Sequence, residues 1–449
     1  MAAALVKPIA GPSPRLAFVV IALAAFAVRW TMLGYPFAEF DEQFYLLAGD
    51  RLLHGTIPYV DLWDRKPVGL FLVYAAIRLL GGSGIVQYHL VATAIVIGTA
   101  WMVFIFARRF AGSLGALLAA LAYMLWLNLA SGEGGQSPVF YNPLVLGAAM
   151  IVARTVERGA RVRVNGCIAM LLIGVAMQIK YAAVFEGVFF GLTLVWLRWR
   201  EDARASILAD ATLWIGCALA PTALAAGAYW SIGHLDDFVF ANFVSIARRG
   251  HHPFATVAGR FAILCAILAP LVALAATNWR EQKLRFVHLW LAASIFGVIV
   301  FGTYFDHYAL PVVAPAAIAA APAMERRRRL ALAMLAIALV AGQIVLHVKK
   351  TKRGDATVAE RLVAALSGSC NCPYIYDGQP VLYLLGHHCL PSKYAFPSHI
   401  NFASERDADG METASEAARI MALRPDRVMT REPAFALENM ESRHAVYVA

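Results

Sequence analysis

Glu39-Phe40-Asp41-Glu42-Gln43-Phe44-Tyr45, then His54-Gly55, Pro58-Tyr59-Val60-Asp61 and Trp63-Asp64-Arg65-Lys66-Pro67, separate an apolar run near 16–34 from another near 85–107. Both runs approach the ~20 apolar residues that a helix needs to cross a bilayer. Within the polar stretch, Phe40, Phe44, Leu47 and Ala48 recur at helical spacing, and the stem of Arg51 extends the stripe. That pattern predicts a helix lying in the membrane surface with its apolar side down. Asp41 and Tyr45 are four residues apart and share a neighbouring face of it.

Further apolar runs follow near 114–130, 143–157, 164–179, 183–197, 207–230, 258–277, 286–303, 309–324 and 330–347, which makes eleven expected spans. Of the 449 residues 60% are hydrophobic and 15% charged, against ~25% charged in average soluble domains. The charges sit in short clusters between the runs, and together these facts exclude an ordinary soluble protein. The first run has no clear small-residue cleavage site after it, so a retained helix is expected and not a removed signal peptide. No internal repeat stands out.

The formal net charge of +10 does not point to nucleic acid, because many basic residues lie in short inter-helix segments, as the positive-inside rule requires. With the N-terminus cytoplasmic, the inner loops hold Arg108 and Arg109, Arg154 to Arg163, Arg198 to Arg204, Arg280 to Arg285, and Arg326 to Arg329. The outer loops are mostly longer and sparser in basic residues. This orientation divides the chain into a membrane domain over 1–349, whose first outer loop is 35–84, and an extracytoplasmic domain over 350–449. Helical patterns at 355–367 and 412–424, with strand-like Tyr374–Tyr376, Arg427–Met429 and Ala445–Val448, make that tail a small α/β unit.

Of six cysteines, Cys167, Cys217 and Cys265 fall in apolar runs, whereas Cys370, Cys372 and Cys389 lie in the tail. Cys370-Asn371-Cys372 with His387, His388 and Cys389 has spacing that suits zinc. An oxidising outer location favours instead a disulfide from Cys389 to Cys370 or Cys372.

The pattern Asp41-Glu42, Tyr45, Gly55, Tyr59, Asp61 and Lys66-Pro67 resembles the lipid-linked sugar transferases of the GT-C fold. It is most similar to the protein O-mannosyltransferase and aminoarabinose transferase superfamily, with the lipid-linked galacturonosyltransferases among them. The likeness is specific over 40–70, topological over the spans and weak in the tail. It implies an α-helical polytopic GT-C protein of the bacterial inner membrane with a periplasmic C-terminal domain. The donor would be a polyprenyl-phosphate sugar and the acceptor a cell-envelope lipid, glycan or protein. Residue by residue it makes Asp41 the catalytic base, Glu42 its acidic partner, and Lys66 a ligand of the carrier phosphate. The family usually has two prolines after that lysine; here Val68 follows Pro67.

The residue types fit that chemistry. A hydroxyl acceptor must lose a proton to a base, and a departing phosphate must be met by cations, for which Lys66 and Arg65 are candidates. Asp41 or Glu42 can equally cap the helix, and the two cations can snorkel to headgroups. Lys180, in Gln178-Ile179-Lys180-Tyr181, stands where the family often has a lysine. His307, in Tyr304-Phe305-Asp306-His307-Tyr308, stands where relatives carry His-Tyr before a proline. Interfacial anchoring accounts for both positions as well. Tyr45, Tyr59, Asp61 and His307 are possible substrate contacts, Arg248, Arg249, His251 and His252 form a basic outer loop, and no metal or other cofactor is expected to be required. A transporter or flippase of lipid-linked sugars is the main rival. It is disfavoured because most spans lack central charges and no repeated half is visible. A scaffold that merely anchors the tail would not need eleven spans.

Overall fold

The computed structural model describes residues 11–201, 204–368 and 371–448. The first helix, α1 (Pro14–Arg29), starts where the Ser13 hydroxyl accepts from Leu16 N at 3.3 Å, with Pro14 at the position where a missing N–H costs nothing. Two helices, α2 (Phe40–Leu53) and α3 (Val68–Arg78), occupy the first loop. The bundle continues through α4 (Ile85–Ala107), α5 (Ser113–Leu129), α6 (Ser137–Arg158), α7 (Val162–Met177), α8 (Val184–Arg200) and α9 (Ile207–Ser231). A short α10 (Leu235–Val239) precedes α11 (Phe254–Ala276), α12 (Arg285–Phe301), α13 (Leu310–Arg326) and α14 (Arg328–Arg353). Each of the eleven expected spans is helical. Among the described residues nine are long and apolar enough to cross a bilayer, while α5 and α7 are apolar helices of 17 and 16 residues.

Helix α13 is the axis of the bundle. The span that contains it is 83% buried, and it packs against α5, α11 and α12. Its alanine-rich sequence permits this, since small side chains let helix backbones approach where lipid supplies no hydrophobic drive. A Cβ on Gly115 of α5 would lie 2.7 Å from the Ala321 carbonyl, so that crossing tolerates no side chain. By contrast, the spans of α9 and α11 are only 17% buried and present Leu224 and Phe254 outward.

A buried charge cluster ties the last span to the first loop. The Lys349 ammonium lies 2.6 Å from both Glu39 and Glu133 and donates to the Ser131 hydroxyl at 3.0 Å. One turn on, Arg353 reaches the other Glu39 oxygen at 3.3 Å.

The tail comprises α15 (Ala356–Leu366), β1 (Tyr374–Ile375), α16 (Val381–Leu385), α17 (Ser398–Asn401), α18 (Thr413–Ala422), β2 (Val428–Met429) and α19 (Met440–Val448). The strands pair in parallel, Tyr374 opposite Val428. Cys372 and Cys389 are joined as a disulfide, whereas Cys370 lies outside the described residues. Residues 445–448, expected as a strand, are the end of α19. The Asn439 side chain accepts from Glu441 N at 3.1 Å and Ser442 N at 3.3 Å, and this cap outweighs the β-branched residues that follow.

The surface helix also differs from expectation. The apolar face of α2 is covered by protein: it packs on α3 and α16, and the Phe44 ring meets Phe396 at 5.2 Å. Gln43 donates to Gln379 at 2.6 Å and Arg51 to the His388 carbonyl at 2.6 Å. The tail therefore sits on the motif-bearing loop, and periodicity alone could not tell a protein partner from a lipid one.

Candidate active site

Between the end of the bundle and the tail lies a cavity of about 380 Å³. Asp41 reaches it from the first turn of α2, Lys66 from the loop before α3, Lys180 from the turn between α7 and α8, and His307 from the turn before α13. Four residues spread over 267 positions of sequence thus share one lining.

No side-chain bond caps the N-terminus of α2, so capping is not what holds Asp41. Its carboxylate accepts from Gln136 Nε2 at 3.3 Å. Burial alone would raise the Asp41 carboxyl, but the charges of Lys66 and His307, the Gln136 bond and Lys180 hold it below its ordinary value. It is therefore ionised at neutral pH. Glu42 is one residue further round the helix and does not line the cavity. It is fully buried beneath the loop that carries Gln136, against Gly134, where any Cβ would collide with its carboxylate. Burial and then neighbouring Glu133 push the Glu42 carboxyl well above its ordinary value.

Lys66 is positioned by its neighbours. The buried Tyr59, whose backbone is left-handed at φ 72°, donates its hydroxyl to the Lys66 carbonyl at 2.8 Å. The ammonium stands 5.6 Å from the Tyr45 ring. Burial would lower Lys66, yet Asp41 and Asp64 raise it above its ordinary value. Val68 replaces the second proline at the first position of α3 with Pro67 as its N-cap, and the helix forms regardless. Lys180 lies over the Tyr308 ring at 4.4 Å. Burial, with Lys66 adding to it and Asp41 opposing, pushes Lys180 down to about 7.

Four expected contacts are placed differently. Arg65 lines the cavity, but its guanidinium is bonded to Glu405 and Asp409 of the tail. Its charge is spent on docking and not on a phosphate. Asp61 is exposed and accepts from Ile57 N at 2.8 Å, closing a turn. Tyr45 and Tyr59 support Lys66 from below and are absent from the lining.

Sequence reading missed Asp64 and Gln136, and it missed the tail's share altogether. Trp63 N donates to the Lys393 carbonyl at 2.9 Å and its ring meets His399 at 4.7 Å. Arg249 pairs with Glu405 at 2.6 Å, so the basic outer loop also docks on the tail. His399, Glu405 and Asp409 have metal-ligand spacing among the described residues. Arg65 and Arg249 already supply the cations there, so this cluster fits a guanidinium better than a metal ion.

The helical membrane bundle with its small added domain has the GT-C fold. The structure of ArnT from Cupriavidus metallidurans bound to undecaprenyl phosphate shares this fold: the TM-score is 0.63 at 14% identity, over 86% of this chain and 88% of that one. A second similar structure is the arabinofuranosyltransferase AftD from Mycobacteria, at TM-score 0.48 and 15% identity, over 81% of this chain and 29% of that one. No family model and no curated protein sequence matches the chain.

Proposed function

We propose that the chain is an integral membrane glycosyltransferase that moves a sugar from a polyprenyl-phosphate carrier to a cell-envelope acceptor on the outer face of a bacterial inner membrane. The observation that carries this reading is the convergence of ionised Asp41 with Lys66 and Lys180 in one cavity. Undecaprenyl phosphate, the lipid bound to ArnT in the similar structure, is in keeping with it. In this scheme the acceptor oxygen attacks the anomeric carbon and its proton passes to Asp41. The bond from that carbon to the phosphate oxygen breaks, its electron pair stays with the phosphate, and inversion results. Lys66 and Lys180 meet the charge that grows on the departing phosphate. With two ammonium groups in that role no divalent ion is needed, and turnover is expected to persist in EDTA. Loss of turnover restored by a divalent cation would overturn that part of the scheme.

Binding tests the reading directly. Undecaprenyl phosphate should bind the full-length protein in nanodiscs, and Lys66→Ala should weaken it by ~10–100-fold, the worth of one charge-assisted hydrogen bond of ~1.5–3 kcal/mol. If the wild-type protein does not bind this lipid, the reading fails.

Lys180 gives the pH dependence. Its charged form binds phosphate, and its pKa in the folded protein is lowered to about 7. Affinity is therefore complete below that value and declines as pH rises through it. Because the lipid phosphate titrates nearby, the quantity to follow is the ratio to Lys180→Arg, which keeps its charge throughout. A ratio flat from pH 6 to about 9 would remove Lys180 from the phosphate site.

A further inference from the structure

The tail side of the cavity carries groups that the transfer step does not use. Asn401 is 2% exposed; its Nδ2 donates to the Tyr376 carbonyl at 2.9 Å, and its Oδ1 is buried without a hydrogen-bond partner although the residue lines the cavity. A buried amide oxygen left unpaired is costly and marks a position for a ligand donor. Beside it, the rings of Phe402 and Phe435 pair at 5.1 Å, and the Arg431 guanidinium lies 5.8 Å from the Phe435 ring. Asp377, 7% exposed, faces Arg431 at 3.2 Å. All five residues line the cavity.

This wall is stiff. The backbones of 401–403 and 437–439 are stitched together by Ala403 N to the Leu437 carbonyl at 3.0 Å and Asn439 N to the Asn401 carbonyl at 2.7 Å. Its charges are also balanced: Arg431 faces Asp377, Arg249 faces Glu405, and Arg65 faces Glu405 and Asp409. An anionic group placed here meets no cation without a carboxylate beside it. A pyranose presents a C–H face that suits an aromatic platform and hydroxyls that suit an amide oxygen and a carboxylate.

We propose that the tail wall is the acceptor subsite and that it binds an uncharged sugar ring, so that the acceptor hydroxyl belongs to a saccharide and not to a phosphorylated headgroup. The assignment rests on the glycosyltransferase reading above, because it deepens the same cavity. The balanced wall leaves phosphate recognition to the side that carries Lys66 and Lys180.

The test uses the full-length protein in nanodiscs and saturation-transfer NMR. The probes are the methyl pyranosides of glucose, galactose and mannose, with glucose 1-phosphate as the anionic comparison, all in the presence of saturating undecaprenyl phosphate so that Lys66 and Lys180 are already occupied. The expected result is saturation of the ring C–H protons of at least one neutral pyranoside. That signal should fall at least tenfold in Phe435→Ala and be retained in Phe435→Trp, with glucose 1-phosphate binding more weakly than the neutral ring. If Phe435→Ala unfolds early, Arg431→Ala, at a half-exposed position, replaces it with the same expected loss. No transfer to any neutral pyranoside, a signal indifferent to these substitutions, or preferential binding of glucose 1-phosphate would each overturn the assignment. Failure of the wider glycosyltransferase reading shows separately, as loss of undecaprenyl phosphate binding by the wild-type protein.

Discussion

Asp41→Asn is expected to lower turnover by ~10²–10⁴-fold, the range that a positioned general base supplies, without loss of fold. Asparagine has the same shape and its oxygen can still accept from Gln136 Nε2, which now stands 3.3 Å from the carboxylate. Removing a negative charge beside Lys66 and Lys180 should leave undecaprenyl phosphate binding intact or tighter, because Asp41 competes with the phosphate for those cations. Loss of rate with retained binding separates a catalytic base from a lipid-binding residue. In the wild type, Lys66 and His307 hold the Asp41 carboxyl below its ordinary value against the opposing effect of burial. The base works when ionised, so on its acid side kcat/KM should fall only as pH drops through the lowered value, whereas the decline on the alkaline side belongs to Lys180. In Lys66→Ala that acid limb should move to higher pH. An Asp41→Asn enzyme with wild-type turnover would dismiss the base.

Lys349→Ala should carry the largest stability effect, ~3–5 kcal/mol, the cost of leaving a buried ionic cluster short of one partner. Glu133 is fully buried and the Glu39 side chain is 16% exposed, and both lie 2.6 Å from this ammonium. Adding Glu133→Gln should recover part of the loss, because an amide tolerates burial better than an unpaired carboxylate. Thermal unfolding of the two single variants and the double variant in one detergent reads the coupling. Additive losses would show that the three groups do not act as a cluster. The cluster also matters for the site, since Glu39 stands two residues before Asp41 and its loop partner Glu133 three before Gln136.

The spans were legible because a bilayer imposes a length on each apolar run, and basic residues mark the loops. Asp41 and Lys66, which line one cavity, stood out in the sequence as a carboxylate and a cation within a single short polar loop. Lys180 and His307 were visible only as charges at span ends, a place where anchoring gives the same pattern. Arg65 was misread because its two carboxylate partners lie about 340 residues away. Glu42 was paired with Asp41 by adjacency, yet consecutive helical residues diverge by roughly 100°, so one faces the cavity and the other the protein interior.

Hydropathy and spacing were enough to establish that this chain is a multi-helix membrane protein, where the spans fall, and which short segment holds the acid and the lysine. Those properties are local: each depends on residues within a few turns of one another. The folded chain was needed to see that the tail roofs the cavity, which charges are left to meet a ligand, and that α2 lies under protein and not on lipid. Those outcomes depend on pairings between residues far apart in the chain, and an ion pair or a buried face has no periodicity from which its partner can be read.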